Sequence, residues 1–120
     1  MLTIRKSIGN CGEQIARDYL VRNGYVIVAN NSKIGQKELD IVTTHADTTV
    51  FIEVKTCILK TNMFSDEPLT RRQIKIIKKA IAMFCYQNHL RQAATRFDYI
   101  SIGLSRKSMT AKIRHYKDIC

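Results

Sequence analysis

The chain carries two closely spaced segments of similar pattern, Lys37-Glu38-Leu39-Asp40-Ile41-Val42 and Phe51-Ile52-Glu53-Val54-Lys55. Apolar and β-branched residues dominate both segments, and polar residues recur at every second position, which predicts two β-strands. Residues 45–48 between them are polar and few enough for a hairpin loop. The sequence therefore predicts a pair of neighbouring strands near the middle of the chain.

Charged side chains interrupt these strands in a regular way. Residues two apart in a strand share a face, so Glu38 and Asp40 point together, as do Glu53 and Lys55. Such charges are rarely buried without a partner or a metal. They could form the solvated face of a hairpin, with Lys55 in a salt bridge. We favour a functional site because apolar residues at 50, 52 and 54 and Phe51 indicate that both faces are buried.

The length and charge of the chain limit its class. A chain of 120 residues predicts one domain spanning 1–120, and its 45% hydrophobic content argues against a disordered tail. Twenty Lys and Arg against ten Asp and Glu give a net charge of +10. This excess favours a polyanionic partner, with nucleic acid first and an anionic membrane surface second.

The sequence does not support a membrane protein or a protein stabilised by disulfides. No apolar run approaches the roughly 20 residues of a membrane span, and the N-terminal residues lack the apolar core of a signal peptide. The four cysteines are far apart and form no C-x-x-C pair, which argues against a zinc site or a disulfide framework. We expect a cytoplasmic protein with reduced thiols and no membrane partner.

Periodicity and turn residues predict the remaining elements. Asn10 and Glu13 resemble a capping box, and Gly24 is a good residue to follow a helix, so spacing alone favours a capping role for Glu13. A second capping box, Thr70 with Gln73, opens the second helix. Residues 30–32 are predicted to form a turn, and residues 33–36 a basic loop. The predicted elements are a helix over 10–23, strands over 25–29, 37–42 and 49–56, the helix after residue 70, and strands over 96–102 and 109–116. Residues 57–68 and 103–108 are predicted to be a loop and a turn.

The second helix combines an apolar stripe with a basic one. The basic residues fall within an arc of about 120° at about 100° per residue. They are Arg71, Arg72, Lys75, Lys78 and Lys79. Such a stripe is often only a solvated helix face. We favour phosphate contacts because Asp98 and Asp118 are the only acidic residues after residue 70.

The order helix–strand–strand–strand–helix–strand, with Asp40, twelve residues and then Glu53-Val54-Lys55, resembles the PD-(D/E)XK nuclease superfamily. It is more similar still to the small bacterial YraN-like family, which is similar in fold to archaeal Holliday-junction resolvases. The further matching blocks are Gly12-Glu13, Tyr19-Leu20, Gly24, Glu38-Leu39-Asp40 and Arg96-Phe97-Asp98. Two positions depart from the family pattern: Lys37 stands where Gly is usual, and Cys57 where a basic residue is common.

This resemblance implies an α/β restriction-endonuclease-like fold, with a mixed central sheet of about five strands flanked by helices. It implies a metal-dependent endonuclease that hydrolyses DNA phosphodiester bonds, with branched or structured DNA as a candidate substrate. Its similarity to resolvases also implies a homodimer. The alternative is a non-catalytic nucleic-acid-binding module that retains the nuclease fold, although no acid or lysine of the motif has been lost here. A partner chosen by charge alone, such as a membrane surface or an acidic protein, is a third and weaker interpretation.

The resemblance also gives each motif residue a role. Asp40 and Glu53 would bind Mg²⁺ or Mn²⁺, which suit oxygen-rich sites, with the Val54 carbonyl as a third ligand. Lys55 would position the attacking water and stabilise the developing negative charge. Glu13, from the first helix, would complete the metal sphere directly or through water. Glu38 matches a family position and would support the ligands from behind.

Overall fold

The computed structural model describes residues 4–60, 64 and 67–119. Its elements are α1 (Ile4–Arg22), β1 (Val26–Ile34), β2 (Lys37–His45), β3 (Thr48–Ile58), α2 (Arg71–Gln87), a 3₁₀ turn (Gln92–Ala94), β4 (Thr95–Ser105) and β5 (Thr110–Tyr116). The strands form one sheet in the order β1-β2-β3-β4-β5. β3 and β4 are parallel, and the other neighbouring pairs are antiparallel. The predicted α/β class with a mixed five-stranded sheet is confirmed.

The two helices lie on opposite faces of this sheet. Parallel neighbours need a crossover connection, and α2 lies in the connection from β3 to β4. Phe51 packs on the α2 side with Ile77. Val50, the residue before it, packs on the α1 side with Leu20. Both faces of β3 are therefore buried, as the sequence indicated, and the interpretation as a solvated hairpin is wrong.

Helix α1 is longer than predicted. It runs from Ile4 to Arg22, so Asn10 lies within the helix and the capping box proposed for Asn10 and Glu13 is wrong. The sequence before Asn10 contains no helix breaker stronger than Gly9, whose cost in a helix is only about 1 kcal/mol. The predicted end is confirmed. Gly24 has φ 86°, and its N–H and that of the next residue bond back to the last turn of the helix.

Strand β1 also extends beyond its predicted end. The predicted turn at 30–32 and the first half of the predicted loop at 33–36 belong to the strand, because this segment pairs with β2 as far as Ile34 opposite Lys37. The chain turns only at Gly35 and Gln36. Asn31 takes a left-handed φ of 50° inside the strand, a conformation that Asn tolerates better than most residues. Local turn chemistry is thus present, but pairing with β2 overrides it.

The C-terminal half follows the prediction with one shift. The capping box of Thr70 and Gln73 is confirmed, with its two hydrogen bonds at 2.8 and 3.1 Å. The turn predicted from Gly103 begins later, because β4 continues to Ser105 in register with β5. Cys57 and Ile58 belong to β3, and the rest of the predicted loop falls partly outside the described residues. Within those residues, no helix is long and apolar enough to cross a membrane.

Candidate active site

The candidate site lies where β2 and β3 separate. Their backbone pairing ends at Ile41 opposite Ile52, and beyond it the Asp40 carboxylate accepts the N–H of Val54 at 2.9 Å. The alternation of β2 is broken at this point, because Leu39 and Val42, three residues apart, pack into the same cluster. The Asp40 side chain thus accepts a hydrogen bond from β3 where the β2 backbone no longer pairs with it. This contact fixes its carboxylate beside β3.

Asp40 and Glu53 form a crowded acid pair. Burial, followed by the hydrogen bond and negative charge of Glu53, raises the pKa of Asp40 to about 8. The Val54 N–H and the Lys37 ammonium act in the opposite direction on this pKa. Asp40 therefore largely keeps its proton near neutral pH.

Helix α1 brings a third carboxyl group to the pair. Burial, and then the charge of Asp40, raise the pKa of Glu13, and Arg17 opposes this shift. The helix comes close to β3 at Gly12, where a Cβ would overlap the Thr56 side chain, 2.7 Å from its Cβ. Glu13 lies in the middle of the helix, so the capping role that spacing alone favoured is wrong. Only a glycine at position 12 lets this part of the helix lie so close to β3.

Asn31 links the acids from β1. With its amide nitrogen turned toward them, it donates to Glu13 Oε1 at 2.8 Å and to Glu38 Oε1 at 3.1 Å. Glu38 is exposed at its own position on β2. The structure thus gathers four of the predicted residues, Glu13, Glu38, Asp40 and Glu53, from three elements. Asn31 was missed because the sequence placed it in a turn, although its tolerance of a left-handed conformation was a usable signal.

Two lysines, Lys37 and Lys55, belong to the site. Lys37 Nζ lies 2.9 Å from Glu53 Oε2, with side chains 29% and 11% exposed. In the sequence, Lys37 stood out only as a departure from the family pattern, with no role of its own. Lys55, two residues after Glu53, is half-buried on β3. Among the ion pairs of the described residues, the one that reaches an acid of the site comes from Lys37.

The basic residues of α2 lie on its exposed side. All five are exposed, while Ile77, Ala80, Ile81 and Cys85 are buried against the sheet. Lys79 lines a cavity of about 480 Å³ together with Lys37, Gly35 and Ile76. The basic stripe therefore reaches a cavity that one lysine of the acid site also lines.

The donor types of the site fit a hard divalent cation. Carboxylates from Glu13, Asp40 and Glu53 and the carbonyl of Val54 provide the oxygen-only set that Mg²⁺ and Mn²⁺ prefer. A cation would also stabilise the ionised form of Asp40, which burial and the charge of Glu53 disfavour. In the described part of the chain, no three Asp, Glu, His or Cys side chains already converge on one metal position. The set fits by the type of its ligands, and loading it requires side-chain adjustment.

A second buried charge cluster lies on β4. Asp98 is fully buried and accepts hydrogen bonds from Arg96, from the Asp118 N–H and, at 2.7 Å, from His115. Burial acts to raise the pKa of Asp98, but these hydrogen bonds prevail and lower it to about 2. His115 also contacts the Tyr19 hydroxyl of α1 at 2.9 Å. The Arg96-Phe97-Asp98 block thus fastens β4, β5 and α1 together, with His115 as the link between Asp98 and Tyr19.

The fold and the site define a small α/β protein in which a mixed five-stranded sheet is flanked by helices and the central strands separate around a cluster of acids. The chain belongs to a known family: the profile described as "Uncharacterised protein family UPF0102", the YraN family, matches residues 12–102. The expected YraN-like relationship is therefore confirmed.

Relatives match over almost their whole length. A UPF0102 protein of Caldicellulosiruptor bescii is 33% identical over 114 residues, covering 94% of this chain and 96% of the relative. One of Clostridium tetani is 33% identical over 119 residues, covering 98% and 97%. Among solved structures, SfsA of Pyrococcus furiosus in complex with Ca²⁺ aligns with a TM-score of 0.39 and 17% identity. That alignment covers 91% of this chain and 62% of SfsA.

Proposed function

We propose that this protein is a metal-dependent endonuclease that hydrolyses DNA phosphodiester bonds, with branched or structured DNA as its candidate substrate. The observation that carries the proposal is the acid pair where β2 and β3 separate. The pKa of Asp40 is raised to about 8 by burial and by Glu53, so the pair is unfavourable at neutral pH without a cation. Acids arranged against stability in this way are typical of functional sites.

Each residue of the cluster receives a role in this proposal. Asp40, Glu53 and the Val54 carbonyl would hold Mg²⁺ or Mn²⁺, and Glu13 would complete the set. The bound cation supplies charge neutralisation at the phosphate and an activated water. Lys55 orients the attacking water and stabilises negative charge as it develops. Glu38 shares the Asn31 amide with Glu13 and so helps to orient that carboxylate.

Glu13 and Val54 also border a space for substrate. They line a cavity of about 670 Å³ together with Thr56 and Cys57. Cavities of several hundred Å³ with a few polar groups are typical of ligand sites. This cavity supports entry of the scissile phosphate from the side on which α1 meets the end of β3.

Cleavage assays test the reaction. The protein is incubated with Mg²⁺ or Mn²⁺ and with plasmid, linear, single-stranded and four-way-junction DNA. We expect metal-dependent cleavage that stops with EDTA and in Asp40→Asn, Glu53→Gln and Lys55→Ala, each with its fold retained by circular dichroism. Absence of cleavage on every substrate, with folded protein, refutes the catalytic proposal. An equal loss of activity and thermal stability in all three variants would instead indicate structural roles.

DNA binding is tested separately through salt dependence. The α2 variant Arg71→Ala/Lys75→Ala/Lys78→Ala should weaken binding across sequences. It should also reduce the slope of log K against log salt by up to about 0.9 for each phosphate that the helix no longer neutralises. Arg106→Ala/Lys107→Ala/Lys117→Ala, in the exposed turn between β4 and β5 and just after β5, removes the same three charges and is the control for net charge. An unchanged slope in the α2 variant would show that the stripe is only solvated.

The ion pair of Lys37 with Glu53 favours one other function. A lysine that permanently neutralises a metal ligand would suit a non-catalytic nucleic-acid-binding module that retains the nuclease fold. Such a module would bind DNA with the same salt dependence and cleave none of the substrates. It would also show no Mn²⁺ binding that depends on Asp40.

A further inference from the structure

Lys37 is held at the acid site by its place in the fold. It is the first residue of β2, follows the turn at Gly35 and Gln36, and pairs through its backbone with Ile34. From this position its ammonium reaches Glu53 Oε2 at 2.9 Å, in a pair that is largely shielded from water. The ammonium therefore sits on an oxygen that a divalent cation would need.

We propose that Lys37 is a resident cation that competes with the divalent metal for Glu53 and so sets the metal concentration at which the site is loaded. The inference rests on the proposed function, since it requires Glu53 to be a metal ligand. Without metal, Lys37 neutralises part of the crowded acid cluster. When metal binds, its ammonium leaves Glu53.

Two cations cannot occupy the same carboxylate oxygen. Mg²⁺ binds oxygen at about 2.0–2.1 Å, and an ammonium still within hydrogen-bond distance of that oxygen would repel it strongly. Metal binding therefore breaks the ion pair of Lys37 with Glu53, and the apparent metal affinity falls by the factor that this exchange costs. The structure provides a place for the released side chain, because Lys37 also lines the cavity of about 480 Å³ beside Lys79.

The test measures metal binding directly, without DNA. Free Mn²⁺ is followed by electron paramagnetic resonance in titrations of the wild type and of Lys37→Met, which keeps an apolar stem and loses the charge. We expect Mn²⁺ to bind about tenfold more tightly to Lys37→Met. Lys33→Met is the matched control, because Lys33 is exposed on the same hairpin, opposite Glu38. Its affinity should stay within about twofold of the wild type.

Thermal unfolding gives a second reading that a merely structural role would not produce. Without metal, Lys37→Met should melt below the wild type, because Glu53 loses its counter-charge. At saturating Mn²⁺ the order should reverse or the difference vanish. Lys37→Gln serves if the Met variant does not fold, and Lys37→Arg should keep the wild-type affinity.

The possible results separate the two proposals. If the wild type binds Mn²⁺ through Asp40 and Lys37→Met binds it equally or more weakly, the competition is refuted while the proposed function stands. If neither protein binds Mn²⁺, both proposals fail. Tighter binding that appears equally in Lys33→Met would reduce the effect to general electrostatics and would also overturn the assignment of Lys37.

Discussion

Replacing Asp40 with Asn should stabilise the metal-free protein, against the usual effect of changing a partly buried residue. An Asn oxygen can still accept the Val54 N–H that Asp40 accepts at 2.9 Å. Its amide can also donate to Glu53. The change therefore keeps the hydrogen bonds that hold the ends of the two strands together and removes only the charge.

The size of the effect follows from the raised pKa. An acid whose pKa is higher in the folded state binds protons more tightly there, so stability falls as pH rises through the window between the two values. For Asp40 that window runs from the ordinary 3.8 to about 8. At about 1.4 kcal/mol per pKa unit the penalty has an upper bound of about 6 kcal/mol. Solvent screening and the high effective dielectric constant of partly buried sites reduce it to about 2 kcal/mol.

Urea denaturation with EDTA at pH 4.5 and pH 8.5 measures this penalty. The free energy of unfolding of Asp40→Asn should exceed that of the wild type by about 2 kcal/mol more at pH 8.5 than at pH 4.5. Added Mn²⁺ should stabilise the wild type and leave the variant unchanged. Asp47→Asn, in the exposed turn between β2 and β3, is the control. A pH-independent difference between Asp40→Asn and the wild type would refute the proposed cost of ionising Asp40 in the folded state.

Three further predictions concern residues around the site. Glu13→Gln should lower Mn²⁺ affinity by about 10- to 100-fold, the loss typical of a supporting ligand, while circular dichroism shows unchanged helix content. Wild-type Mn²⁺ affinity in this variant would exclude Glu13 from the metal sphere. Asp98→Asn should cost about 3 kcal/mol at pH 7 in urea denaturation. That difference should shrink as pH falls from about 4 to about 2, since the lowered pKa of Asp98 stabilises only above this window. Gly12→Ala should lower the free energy of unfolding by about 1–3 kcal/mol, because the new methyl group overlaps Thr56. At Gly9 an added Cβ meets nothing within 4 Å, so Gly9→Ala should be neutral or stabilising. Equal melting temperatures for the two variants would refute the close approach of α1 to β3.

The capping boxes show what local sequence can predict here. Thr70 with Gln73 and Asn10 with Glu13 have the same spacing, and only the first begins a helix. Pro68 lies two residues before Thr70 and separates it from the preceding chain, whereas nothing before Asn10 stops helix α1. The burial of both faces of β3 could also be predicted from local sequence. Its apolar residues at 50, 51 and 52 meet a helix on each side, as period-two burial requires.

The remaining features depend on contacts between distant segments. Asn31 is of a residue type that is common in turns. The residues on either side of it pair with β2, however, and the strand continues through it. Alternation placed Glu38 and Asp40 on one face, yet the pattern of β2 breaks at Asp40 because pairing with β3 ends there. No periodicity in one segment records where its neighbour stops pairing. The acids were found from their types and spacing, and their geometry required the fold.

Lys37 shows why charge must be read from the assembled site. In sequence it is one of twenty basic residues, departs from the family pattern without a role of its own, and begins a strand of mixed polarity. In the fold it is the cation that contacts Glu53, and with the Val54 N–H it opposes the rise in the pKa of Asp40. A site with three crowded carboxylates has to be neutralised whether or not metal is present. A protein that supplies part of this charge itself is held together without metal. It therefore gains less from binding metal, so the stability of the metal-free fold and the affinity for metal oppose each other through one side chain.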